Sequence, residues 1–162
     1  MKYEYVTKEY IHSNEFIADE APFEKSRQFC RLQPSDNLPP TEEEMQTKLR
    51  QIFASIFATK FDNYSQLETA CNISEHIMRK YLKGKRKITI YAVAKLCVGA
   101  KLTIEKAEEM FKLQGHMISP SYYRFDAIVI DALKCGDSID IFYDTCKKCG
   151  LDEILDKLSN NK

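Results

Sequence analysis

The stretch from Asn72 to Thr89 leaves the backbone few paths. Asn72-Ile73-Ser74 separates two short segments of helical period, and Gly84 closes the second. Asparagine is one of the few non-glycine residues that tolerates a left-handed backbone, which a tight corner between two helices requires. Ser74 has the chemistry of an N-cap, since its hydroxyl accepts from a first-turn N–H. Ile73 is expected to plug the space between the helices. On the second helix Met78, Tyr81 and Leu82 are expected to face inward. Glu75, His76, Ile77, Arg79 and Lys80 include the exposed candidates, and Lys83, Lys85, Arg86 and Lys87 surround Gly84.

Charge sharpens this reading. The 162 residues have a formal net charge of zero, but the charges are segregated. Residues 1–47 carry five Lys/Arg against ten Asp/Glu, residues 65–101 carry eight against two, and residues 102–162 carry eight against eleven. A basic block of net +6 thus coincides with the two-helix corner, as an electrostatic footprint for a polyanion requires.

The rest of the chain reads as helices too. Thr41 and Glu44 form a capping box. Met45, Leu49, Ile52, Phe53, Ile56 and Phe57 then recur at spacings of three and four, predicting an amphipathic helix to about Lys60. A short helix over Ser65–Cys71 follows, with Leu67 and Ala70 inward. Thr89 caps a helix with Val93, Leu96 and Cys97 inward, and Thr103 caps another that stops at Gly115. Ser119-Pro120-Ser121 is expected to start a further helix ending at Gly136. Residues 138–149 and 151–158 supply two more, with Ile139, Phe142, Tyr143, Ile154 and Leu155 as an apolar face that packs either onto the bundle or onto a partner chain, where a homodimer contact is expected. Residues 1–40 hold frequent aromatics but no period, and form an acidic arm. It is either packed on the domain, extended for a partner, or partly disordered. The predicted class is all-α with about seven or eight helices, divided as an arm over 1–40, a central bundle over 41–104 and a helical extension over 105–162.

From about Asn63 to Ile104 the chain resembles the lambda-repressor-like, Xre-type helix-turn-helix family. The resemblance lies in Asn72, Ile73, Ser74, the polar helix to Lys83, Gly84, the basic run Lys85-Arg86-Lys87, and Thr89, followed by apolar Val93, Ala94 and Leu96. Glu68 departs from the family's small alanine, Leu82 from its glutamate and Ile88 from its proline. From Ala107 to Cys149, residues Gly115, Ser119, Ser121, Phe125, Asp126, Ile128, Val129, Asp140, Ile141 and Phe142 resemble a helical extension of proteins from Gram-positive bacteria and their mobile elements.

The first resemblance implies base readout from the start of the second helix, by Glu75, His76, Ile77, Arg79 and Lys80. Arg79 matches guanine O6 and N7, Glu75 suits a cytosine amine, and Ile77 suits a thymine methyl. Ser65, Gln66, Ser74, Lys83, Lys85, Arg86 and Lys87 are assigned to phosphates, which position without specifying. Double-stranded DNA is the expected partner. A homodimer on a palindrome is expected as well, since one such head covers a short site. The acidic arm is a candidate surface for a protein partner.

Other chemistry finds less support. Cys146-Lys147-Lys148-Cys149 falls near a helix end rather than at a helix start, where a thiolate is stabilised. The other ligands for zinc, drawn from Cys135, His116 or Cys30, are irregularly spaced. His12, His76 and His116 are dispersed, and no glycine loop suits a phosphate. No cofactor, metal or catalytic activity is expected. With no secretory segment and no apolar run of bilayer length, the expected location is the cytoplasm. The expectation is therefore sequence-specific DNA binding in transcription regulation, the alternative being a protein-interaction module, an antitoxin or adaptor, on the same scaffold.

Overall fold

The computed structural model describes residues 3–13, 42–59, 61–86 and 88–151. Among them are eight α-helices and no strand: α1 (Lys8–Ile11), α2 (Glu42–Thr59), α3 (Tyr64–Cys71), α4 (Glu75–Leu82), α5 (Ile90–Gly99), α6 (Ile104–Leu113), α7 (Arg124–Cys135) and α8 (Ile139–Lys148). Thr41, with its capping box, and residues 152–158 of the expected last helix lie outside the described residues.

Helix α5 is the spine. Its sequence, IYAVAKLCVG, is apolar on all sides except at Lys95, and every residue from Ile90 to Val98 is buried. A helix of that composition is stable only when surrounded, and α5 packs against α3, α6, α7 and α8. The approach to α3 is so close that a Cβ on Gly99 would lie 2.5 Å from the Ala70 carbonyl oxygen and 2.6 Å from the Cys71 Cα and Sγ. On the other side Tyr91 meets the Phe125 ring edge-on at 5.4 Å, and the Lys95 ammonium lies 5.6 Å from the Tyr143 ring centroid. One apolar cluster runs through all eight helices, from Tyr3 to Leu151.

Helix ends obey local chemistry. Thr89 and Thr103 each accept from the backbone N–H three residues on, as their sequence positions predict, and Ser138 does the same at the start of α8. Helix α7 is the exception. It begins at Arg124 rather than at Ser119-Pro120-Ser121, and its N-cap Tyr123 makes no side-chain cap. Residues 119–123 form a separate turn, in which the Tyr122 and Tyr123 N–H groups both donate to the Ser119 carbonyl at 3.0 Å, and the Ser119 N–H donates to the Asp126 carboxylate at 2.8 Å. That carboxylate also meets His116 Nε2 at 2.9 Å, so the buried His116 and Asp126 complete each other and hold the α6–α7 link.

Residues 3–13 are an ordered part of the core. Tyr3, Val6 and Ile11 are buried, and full burial of such side chains stabilises by about 1.5–3 kcal/mol each. Three cations fasten their backbone or flank to α7. Arg124 donates to the carbonyls of Ile11 and Ser13. Lys134 donates to those of Tyr3 and Val6 at 2.8 and 2.6 Å. Lys8 pairs with Asp131 and Asp137. Of the expected apolar face of α8, Ile139 and Phe142 are buried within the chain and Tyr143 is half-buried, whereas neighbouring Ile141 is 46% exposed.

Candidate nucleic-acid interface

Helices α3 and α4 are eight residues each, joined through Asn72, Ile73 and Ser74. Asn72 is left-handed, at φ 56° and ψ 41°, and its N–H donates to the Glu68 carbonyl at 2.8 Å. Ile73 is buried between the helices. Ser74 is the N-cap of α4, with its Oγ accepting from Ile77 N–H at 3.2 Å. Helix α3 begins one residue earlier than expected, because Asn63 is its cap and its Oδ1 accepts from Gln66 N–H at 3.0 Å.

The far end of α4 is closed twice. Gly84, at φ +73°, lets Lys85 N–H reach the Lys80 carbonyl and Gly84 N–H reach that of Tyr81, a Schellman closure. Two α2 side chains then satisfy carbonyls as well. Gln46 Nε2 donates to Tyr81 O at 2.8 Å and Arg50 Nε to Leu82 O at 3.1 Å. The pose of α4 is therefore set by α2 at its C-terminus and by the Asn72 corner at its N-terminus.

Four of the five residues assigned to base readout lie at least partly in solvent: Glu75, His76, Arg79 and Lys80. Ile77 does not. It is 8% exposed and packed in the core beside Met78 and Tyr81, which withdraws it from the expected outward set. Ile77 lies on the edge of the arc that Met78, Tyr81 and half-buried Leu82 share, and falls on its buried side.

Among the residues assigned to phosphates, Ser65, Gln66, Ser74, Lys83 and Lys85 are exposed and Arg86 is half-buried, while Lys87 lies outside the described residues. Gln66 Oε1 accepts from Asp62 N–H at 2.9 Å, and Ser74 Oγ is occupied by its cap. A depression of about 580 Å³ opens along the corner, lined in part by Glu68, His76, Lys80 and Arg86. Glu68, where the resemblance leads one to expect a small residue, thus stands on a rim that also carries cations.

Arg79 is held in place. Its Nε meets Glu75 Oε2 at 2.7 Å, and its guanidinium carbon lies 4.3 Å from the Tyr64 ring centroid. Tyr64 in turn packs edge-on against Phe57 of α2, with ring centroids 4.8 Å apart. Sequence reading missed Tyr64 in this role, because the contact joins residues fifteen positions apart on different helices.

Elsewhere, the cysteines form no cluster with histidine or acidic residues that could hold a metal among the described residues. Cys146 is buried, and Cys149, the C-cap of α8, places its Sγ 3.9 Å from His12 Nδ1. No described helix is long and apolar enough to cross a membrane. Comparisons with protein-family models, with curated proteins and with solved structures find no match.

Proposed function

We propose that the chain binds double-stranded DNA in a sequence-specific manner, as a transcriptional regulator, with α4 entering the major groove. The observation that carries this reading is the combination of a capped α3–α4 corner with a cationic outer face. Arg79 and Lys80 lie on α4 and Lys83, Lys85 and Arg86 follow it, within a segment of net +6. A helix of eight residues fits the groove, and its N-terminal turns are the part that meets base edges in helix-turn-helix proteins. The resemblance of residues 63–104 to the lambda-repressor-like family supports the same reading.

In this reading Arg79 addresses a guanine, while His76 and Lys80 contact neighbouring base edges. Lys83, Lys85 and Arg86 neutralise phosphates and supply salt-dependent affinity. Two chains on a palindrome extend the short site that one head covers.

Selection of bound duplexes from a random pool at two salt concentrations tests this. An enriched palindrome that persists at the higher salt is the expected result. Binding that enriches no motif, or no binding at all, refutes it and turns attention to the interaction-module alternative.

A further inference from the structure

We infer that Tyr64 and Glu75 are positioning residues that hold Arg79 for guanine recognition, rather than readers of bases themselves. This rests on the DNA-binding reading above and assigns the specificity-determining contact within it.

Arg79 is restrained on two sides of its guanidinium. The Glu75 carboxylate takes the Nε edge at 2.7 Å, and the guanidinium carbon lies over the Tyr64 ring, 4.3 Å from its centroid. Arg79 and Glu75 are one helical turn apart and both are exposed, at 50% and 41%. An exposed pair of that kind is weak by itself and leaves a long side chain mobile. The ring adds a second contact from another helix, so that the guanidinium is held by more than the pair alone.

Tyr64 is itself anchored, because Phe57, which meets it edge-on, packs against the core from α2. An unbroken path of contacts thus runs from the core through Phe57 and Tyr64 to the guanidinium. Phe57, Tyr64, Glu75 and Arg79 line one open depression of about 430 Å³ with Asp62, Asn63 and Ser65.

The geometry selects a chemistry. With Nε given to Glu75, the two terminal amino groups remain as a parallel pair of donors. Guanine presents two acceptors, O6 and N7, on its major-groove edge, and it is the base that such a fork matches. Adenine offers one acceptor beside a donor there and would leave one amino group unpaired. Glu75 is accordingly withdrawn from the cytosine contact that its position suggests. Its carboxylate orients the arginine and offsets part of its charge, so that the contact adds less to indiscriminate phosphate binding.

The test uses the full chain and two readouts. In the free protein, nuclear magnetic resonance of the arginine side chains is expected to show Arg79 signals displaced by the Tyr64 ring current. The displacement is kept in Tyr64→Phe and lost in Tyr64→Leu. In duplex selection, Arg79→Lys, which removes the fork, is expected to lower preference for one guanine by roughly tenfold. Tyr64→Leu is expected to lower it at the same position by roughly threefold, with affinity for unrelated duplexes unchanged and with Tyr64→Phe restoring it.

Unshifted Arg79 signals in the native protein overturn the inference while leaving DNA binding standing. So does a Tyr64→Leu variant that weakens cognate and unrelated duplexes by the same factor, since that is the mark of a merely structural residue. A shifted Arg79 in a protein that enriches no sequence overturns the DNA reading, and the assigned role with it.

Discussion

The Asn72 side chain donates to the Tyr143 hydroxyl at 3.2 Å, tying the corner between α3 and α4 to α8 across 71 residues of sequence. The same tyrosine lies over the ammonium of buried Lys95 on α5. The corner is therefore braced by α8 as well as by its own backbone.

Asn72 holds two properties that substitution separates. Asn72→Ala puts a Cβ residue without a compensating amide at φ 56° and removes the bond to Tyr143. It is expected to cost about 1–2 kcal/mol from the left-handed conformation. Asn72→Gly relieves the backbone and loses only the side-chain bond. Urea unfolding is expected to rank native above Gly above Ala, and equal midpoints for Gly and Ala would refute the backbone argument.

Gly99 tolerates no side chain. A methyl there meets the backbone of α3 rather than a flexible side-chain end. Gly99→Ala is expected to force α3 and α5 apart at a cost of about 1–3 kcal/mol. Thermal unfolding by circular dichroism reads this directly, and an unchanged melting temperature would contradict it.

Ser74 distinguishes capping from phosphate contact. Ser74→Ala is expected to lose about 1 kcal/mol of stability, whereas Ser74→Asp retains a cap acceptor and the stability. Beside a phosphate the aspartate is repelled. We expect Ser74→Asp to fold like the native chain yet bind duplex DNA more weakly, most of all at low salt. Equal DNA affinity for the two variants at matched stability would remove Ser74 from the backbone contacts.

Buried thiols give the fold a limit at high pH. Burial pushes the Cys71 thiol up to about 12, partly offset by Lys95, and burial raises Cys97 as well. A raised thiol is neutral in the folded chain and ionises first in the unfolded one. Its contribution is complete below the ordinary thiol value of 9.0 and is lost as pH rises from there towards 12. Stability in urea is expected to fall as pH rises above about 9, and less steeply in the Cys71→Ala, Cys97→Ala double variant. At pH 8 a thiol reagent should reach exposed Cys135 while sparing Cys71 and Cys97. Rapid labelling of all three in the folded protein would refute the burial.

Features settled by neighbouring residues were legible in the chain. Ser74, Thr89 and Thr103 cap helices because a hydroxyl needs only an N–H three residues ahead. The left-handed Asn72 and the α2 stripe were legible for the same reason. Features settled at a distance were not. Residues 3–13 are placed by Arg124, Lys134 and Asp131, more than a hundred positions away. Buried Lys95 and Asp126 break the apolar period and are tolerated only because partners from other segments reach them. Lys101 takes a left-handed φ of 54°, usually left to glycine, and spends its ammonium on the Gly136 carbonyl at 2.6 Å. Ile77 was misjudged because α4 is two turns long, so one residue at the margin of its apolar arc can fall to either side.

The encirclement of α5 decides how this chain can be dissected. A fragment stopping after Leu102 would keep α3, α4 and their supporting helix. It would strip the cover from Tyr91, which meets Phe125, and from Lys95, which lies beneath Tyr143. A lysine that the full chain buries and a bare aromatic flank would then share one surface. The piece that can be transplanted is larger than the piece that carries the family resemblance, and any fusion or minimal version must bring α7 and α8 along.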